Sequence, residues 1–369
     1  MSKIKQYLRN KYGKEITYFR YTLRIIKRRM SKLRKKKNCK YPRILQLPIT
    51  YHCNFDCVMC GMKKQIEKQD FSATELRQIL GDGLFCEIES VGVNGGEPFL
   101  KNDLVECIEV ILEKLSKLKR IDIISNAFCT ELIIEKMSVI KKLCEKHNVQ
   151  LGISFSLDGI GDMQDFMRGH KGAYEHFLKT YQEIKDNQEM YCDVMGVICT
   201  ITRHNIARIN EVEVWAQKNN ANISYNIATI HKRIENEDKF EDFTILNDKK
   251  AKMLAQEFFY KKYLETRQER YWGLFLYLRD NKRYALCDYL LGEGVTLTPN
   301  GQIGYCATYS DELGDAKIES AEDIFRRNVA YRKKEICHQC DTCSHYMYEL
   351  SIDGMRKLRQ EMVREVIRK

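Results

Sequence analysis

A chain of 369 residues with 44% hydrophobic and 31% charged residues is long enough to bury one large core, and its 15 cysteines are too sparse for a disulfide scaffold. Arg20 and Arg24 interrupt the only early apolar stretch, so neither a secretory segment nor a membrane-spanning run is expected, and the expected setting is a reducing cytoplasm. The net charge of +11 is uneven: residues 1–40 hold 16 Lys or Arg against the single acid Glu15, leaving 46 basic and 50 acidic residues in a nearly neutral remainder.

In that basic arm, Ile4, Leu8, Tyr12, Ile16, Phe19, Leu23, Ile26, Met30 and Leu33 recur at helical spacing, with Gly13 as a break. Three readings stay open: a helix lying on an anionic membrane leaflet, peripheral on its inner face, a helix docked on the body, and, least favoured, an arm for nucleic acid. From residue 41 the pattern changes. Strands are predicted near 44–50, 88–93, 120–125, 151–157, 192–201 and 222–230, with helices near 73–82, 103–118, 130–147, 172–187 and 206–219. Six strand-then-helix units imply parallel strands and an open or closed α/β barrel, whose chemistry gathers at the C-terminal ends of its strands.

The distinctive loops fall at those ends. "YHCNFDCVMCG" puts Cys53, Cys57 and Cys60 after the first strand, "NGGEP" follows the second, Ser125 and Asn126 end the third, and "SLDG" from Ser156 ends the fourth. Thiolates are soft ligands, and three on one short loop can cap three corners of an iron–sulfur cubane. Structural zinc, the competing reading, wants four protein ligands, and His52 beside Cys53 is poorly placed to be the fourth.

CxxxCxxC after the first strand, GGEP after the second and the βα repeat together resemble the radical S-adenosylmethionine (radical SAM) superfamily. The resemblance implies a partial (β/α)6 TIM-like barrel, a 4Fe–4S cluster on Cys53, Cys57 and Cys60, and SAM chelated to the open iron, whose reductive cleavage releases a 5′-deoxyadenosyl radical. It also implies a reductant such as flavodoxin or ferredoxin. Gly95 and Gly96 would let the backbone approach the methionine of SAM, and Glu97 would accept from its ammonium. Ser125, Asn126, Ser156 and Asp158 fall where the family contacts ribose or the methionyl group, although such residues also cap helices. Arg168 in "DFMRGHKGAY" resembles an arginine that pairs with the carboxylate. Met59 stands where the family usually has an aromatic residue.

The C-terminal third carries a second group. Cys287 precedes "GVTLTPNGQIGYC", read as a β-hairpin turning at Asn300 and Gly301 and closed by Cys306, and a helix at "SAEDIFRR" leads to Cys337, Cys340 and Cys343 in "CHQCDTC". This order resembles the SPASM extension and its shorter form, Twitch, which implies one auxiliary 4Fe–4S cluster. Cys287 and Cys306 would be joined by Cys337 with Cys340 or by Cys340 with Cys343; a zinc ribbon is the alternative. Cys39, Cys86, Cys107, Cys129, Cys144, Cys192 and Cys199 read as small core residues, with Cys199 also a candidate hydrogen-atom donor. The expected organisation is an arm (1–40), a core barrel (41–232), a helical linker (233–285), an auxiliary-cluster region (286–347) and a basic amphipathic C-terminal helix (348–369). Within the linker, Tyr271, Trp272 and Tyr277 in "YWGLFLYLRD" read as packing aromatics or, second, as pocket walls.

The expected activity is hydrogen abstraction from a carbohydrate-like or surface-glycan intermediate, ending in oxidation or epimerisation. The arm is too short for a leader-binding domain, which places peptide or protein modification second and RNA modification third. A non-catalytic electron carrier or membrane-docking module would leave the GGEP loop idle.

Overall fold

A computed structural model describes residues 41–367 apart from 346 and 348, so the basic arm and Cys39 lie outside the described residues. Six parallel strands form in chain order: β1 (Ile44–Thr50), β2 (Ser90–Gly95), β3 (Arg120–Ser125), β4 (Gln150–Ser156), β5 (Val194–Ile201) and β6 (Ile223–Ile227). Helices alternate with them: α1 (Ala73–Ile79), α2 (Leu104–Lys114), α3 (Thr130–Lys146), α4 (Asp162–Arg168), α5 (Ala173–Asp186) and α6 (Ile209–Lys218). The first helix starts where the sequence dictates: Ser72 and Glu75 form a reciprocal capping box that satisfies two backbone donors.

Alternation along the strands divides polar from apolar. Leu45, Leu47, Ile49, Val91, Val93, Ile121, Ile123, Leu151, Ile153 and Phe155 pack with helix residues such as Leu76, Ile108, Ile111, Met137 and Phe177 in one core. The opposite face bears Asn94, Asp122, Ser154, Ser156, Thr200, Ser224 and Asn226, all half-buried, so the inner surface is polar. Cys199 shares its face with Val197 and Ile201 in the apolar layer under the helices. It therefore does not face the inner surface, and the hydrogen-donor reading is corrected. Cys86, read as a core residue, is exposed.

The sheet continues beyond six strands. β8 (Gly294–Leu297) pairs parallel with β1, and β9 (Ile303–Gly304) pairs antiparallel with β8, giving the order β6-β5-β4-β3-β2-β1-β8-β9. The predicted hairpin thus extends the barrel sheet. β7 (Ala285–Leu286) pairs with β10 (Glu349–Leu350) in a separate two-stranded ladder. Against β6 pack α7 (Lys249–Thr266) and α8 (Glu269–Asp280), with the Tyr225 and Phe258 rings 4.9 Å apart. Tyr271, Trp272 and Tyr277 are core residues there. Beyond the hairpin come α9 (Ala321–Arg327), α10 (Val329–His338) and α11 (Ile352–Ile367). No helix among the described residues is long and apolar enough to cross a membrane.

Candidate functional site

The cysteine loop begins at a register shift between Pro48 and Thr50, where a proline that cannot donate to the ladder ends regular pairing with β2. The second loop is zipped onto it: Gly96 N donates to Thr50 O at 2.8 Å and Glu97 N to His52 O at 2.8 Å. Gly95 has φ 134°, and a Cβ at Gly96 would collide with the His52 carbonyl. Both glycines are therefore required by loop-on-loop packing, whatever else approaches them.

Each thiol of the triplet accepts one donor. Phe55 N lies 3.5 Å from Cys53 Sγ, Met62 N 3.4 Å from Cys60 Sγ, and Arg168 Nη1 3.8 Å from Cys57 Sγ. Burial pushes the thiols up, Cys53 to about 12, Cys57 to about 11 and Cys60 in the same direction. Their donors and Arg168 oppose this, so thiolates here call for a bound cation. Among the described residues no three His, Cys, Asp or Glu side chains converge on one metal-ion position; a cubane instead takes one thiolate at each corner.

Glu97 is fully enclosed. Its Oε2 accepts from Asn126 N at 2.7 Å, and its Oε1 accepts from Ser125 Oγ at 2.9 Å and Phe99 N at 3.3 Å. Burial pushes its carboxyl up to about 7 against these three bonds. Asn126 Nδ2 donates to Asn54 Oδ1 at 2.7 Å, tying the third strand end to the cysteine loop. Ser156 is half-buried, with its carbonyl accepting from Gln164 Nε2 at 2.9 Å. Asp158 is wholly buried: it accepts from Thr200 N at 2.6 Å and pairs with Arg168 Nη2 at 2.7 Å. Burial acts to lower the pKa of Arg168, and Asp158 and Cys57 outweigh it and raise it. Arg168 ends α4, a helix the sequence pattern did not disclose; left-handed Gly169 closes it against the Asp56 carbonyl. Met59 packs with Met167, Ala228 and Phe243.

Three buried polar atoms beside these loops have no partner: Asn54 Nδ2, Asn94 Oδ1 and Arg168 Nε. Buried polar groups are rarely left so, and two donors and an acceptor around a thiol triplet fit a zwitterionic ligand.

A strap spanning residues 231–239 holds the cysteine loop from outside. Asn236 Nδ2 donates to Met59 O at 2.8 Å and Thr229 O at 3.1 Å, while its Oδ1 accepts from His231 N at 2.8 Å. Lys239 Nζ donates to Cys60 O at 2.9 Å and Gln65 Nε2 to Arg233 O at 2.7 Å. Neither Asn236 nor its role was read from sequence, since its partner lies 177 residues away.

In the C-terminal region Cys287, Cys306, Cys340 and Cys343 line one cavity, together with Arg283, Arg332 and the rings of Tyr289, Tyr305 and Tyr309. Cys337 lies in α10, with its side chain outside the described residues. Cys306 also borders a second cavity, of about 220 Å³, between the strap, the hairpin and Tyr51 at the end of β1. His231 and His345 meet edge to face near the rear of this region, ring centroids 4.6 Å apart.

Residues 47–212, which contain the thiol triplet, Glu97 and Arg168, match the radical SAM superfamily. The GTP 3′,8-cyclase of Pasteurella multocida is 28% identical over 163 residues, 41% of this chain and 45% of that one; the chain spans less than half the length of the curated relatives it matches first. Streptococcus suis SuiB bound to precursor peptide SuiA superposes with a TM-score of 0.57 at 15% identity, covering 84% of this chain and 70% of that one. Native anSMEcpe with bound AdoMet gives 0.54 at 14%, covering 87% and 96%. These two likenesses concern the fold. Residues 47–212 form a radical SAM domain, of the superfamily whose members use a 4Fe–4S cluster and SAM.

Proposed function

We propose that this chain is a radical SAM enzyme that carries two 4Fe–4S clusters and abstracts hydrogen from a small, polar, sugar-like substrate bound between them. The observation that carries this reading is the shared wall at Cys306, which borders both the four-cysteine cavity and a polar cavity walled in part by Tyr51 and Gln65, the residues flanking the cysteine loop. Cys53, Cys57 and Cys60 would hold the first cluster, with the fourth iron left to SAM. When bound, that cluster would supply the electron for reductive cleavage of SAM. Glu97 would accept from the SAM ammonium, Arg168 would pair with its carboxylate, and Asn54 and Asn94 would offer their unpartnered atoms. Asp158 fixes Arg168 from behind. Cys287, Cys306, Cys340 and Cys343 would hold the second cluster, a one-electron acceptor.

The substrate class follows from size and lining. About 220 Å³ falls below the range of roughly 300–1,000 Å³ typical of drug-sized ligands. Its walls pair Lys68, Lys232 and Arg233 with Glu235, Asp311 and Glu312, and Thr296 and Thr298 add hydroxyls. A balanced, hydroxyl-bearing wall suits a polyhydroxylated molecule. Peptide modification is the second reading, favoured by the fold shared with SuiB, whose structure holds a precursor peptide.

The test is iron and labile sulfide content with 5′-deoxyadenosine formation after anaerobic reconstitution. Wild type should bind about eight irons and cleave SAM, and the Cys53/Cys57/Cys60→Ala triple variant should keep about half the iron and lose cleavage. Stimulation of cleavage by monosaccharide glycosides favours the first reading, and by cysteine- or lysine-containing peptides the second. Zinc in place of iron, or no deoxyadenosine, would overturn both.

A further inference from the structure

The four-cysteine cavity holds two guanidiniums and, among its described lining residues, no carboxylate. Arg283 is 8% exposed and acts as a clasp. Its Nε donates to Ala285 O at 2.8 Å and its Nη2 to Leu286 O at 3.3 Å, on the segment leading into Cys287. Its Nη1 donates to Cys343 O at 2.9 Å and His345 O at 2.7 Å, on the segment carrying the last cysteine. One side chain therefore joins two stretches of chain that each supply a thiol. Arg332 stands on another wall, donating from Nη2 to Tyr289 O at 3.0 Å, with its guanidinium 5.6 Å over the Tyr305 ring. Gly292, whose left-handed φ of 81° calls for glycine, lies against this guanidinium.

Burying a guanidinium costs free energy, and a cavity bordered by buried Arg283, half-buried Arg332, four thiols and aromatic walls is suited to a bound group of net negative charge. A cubane ligated by four thiolates is such a group, and with all four corners taken by cysteine it has no iron open to substrate. Reduction adds a further negative charge, so fixed positive charge nearby stabilises the reduced form. Resting on the proposed reading of Cys287, Cys306, Cys340 and Cys343 as ligands of one cluster, we propose that Arg283 and Arg332 are positioning residues for it. Arg283 holds the ligand segments together, and both guanidiniums raise the reduction potential, which favours electron uptake from substrate.

The test uses the full chain with Cys53, Cys57 and Cys60 replaced by alanine, so that iron content and the midpoint in an EPR-monitored titration report the second site alone. In this parent, Arg332→Gln should keep its iron and shift the reduction equilibrium about tenfold toward the oxidised form, about 59 mV for one electron. Arg332→Lys should match the parent, and Arg283→Met should lose iron. An unshifted midpoint in Arg332→Gln, or full iron retention in Arg283→Met, overturns this inference and leaves the cluster assignment standing. Should Arg332→Gln lose its iron, retention in Arg332→Lys supports the charge role and loss in both overturns it. A parent without iron overturns the ligand assignment itself, and this inference with it.

Discussion

The side-chain amide of Asn236 donates to the backbone carbonyl of Met59 at 2.8 Å, across 177 residues of chain, and fixes the cysteine loop between its second and third thiols. Asn236 is 1% exposed and all its bonds are internal, so a substitution strands buried backbone groups. Asn236→Leu should destabilise the protein by about 1–3 kcal/mol in urea unfolding. It should also lower iron retention at the first site, measured as iron content in a Cys287→Ala/Cys306→Ala background.

Asp158 and Arg168 form a buried ion pair whose members depend on each other. Removing one partner of such a pair typically costs about 3–5 kcal/mol, because the other charge remains buried. Asp158→Ala should therefore unfold at markedly lower urea, and the double variant Asp158→Ala/Arg168→Met should recover part of the loss. A double variant no more stable than Asp158→Ala would show that the pair is not the source of the effect.

Burial raises the Glu97 carboxyl to about 7, above the usual value near 4.3. The sign is that of a buried acid: the neutral form suits the folded protein without ligand, and the stability this contributes is lost as pH rises from the ordinary value through 7. An ammonium partner needs the opposite state. SAM affinity, measured by equilibrium binding, should therefore strengthen between pH 6 and 8, and Glu97→Gln should bind more weakly with a flat profile. A flat wild-type profile would remove Glu97 from the ammonium site.

Gly96 packs against the His52 carbonyl with no room for a side chain. Gly96→Ala should cost about 1–3 kcal/mol, as extra volume forced into a packed position does. Loss of SAM cleavage should accompany the lower melting temperature. A Gly161→Ala control is useful, because no atom lies within 4 Å of a Cβ built there and only its φ of 58° is strained.

The parallel strands were legible because their signal is local: runs such as "ILQLPIT" and "RIDIIS" need only their own residues to declare a buried strand. The thiol triplet and GGEP were legible as motifs for the same reason. Relationships across the chain were not. Nothing near "GVTL" announces that it will pair with β1, since Ile44 and Gly294 meet only in the folded sheet. Asn236, Arg283 and Arg332 are single residues with ordinary neighbours, and their meaning lies in carbonyls that only the fold brings near. Cys199 shows a subtler limit. Its strand was found, but which face of that strand looks inward was not decided by the sequence pattern alone.

The pairing of β8 with β1 also sets an order of events during synthesis. The Tyr51 hydroxyl donates to Asn300 Oδ1 at 2.9 Å across 249 residues, and hydrogen bonds of this span form late, after the loop between them has been made and ordered. The barrel's first strand emerges from the ribosome long before its second neighbour does. Until then that edge of β1 stands open, so the barrel sheet is completed only once the C-terminal third has been made.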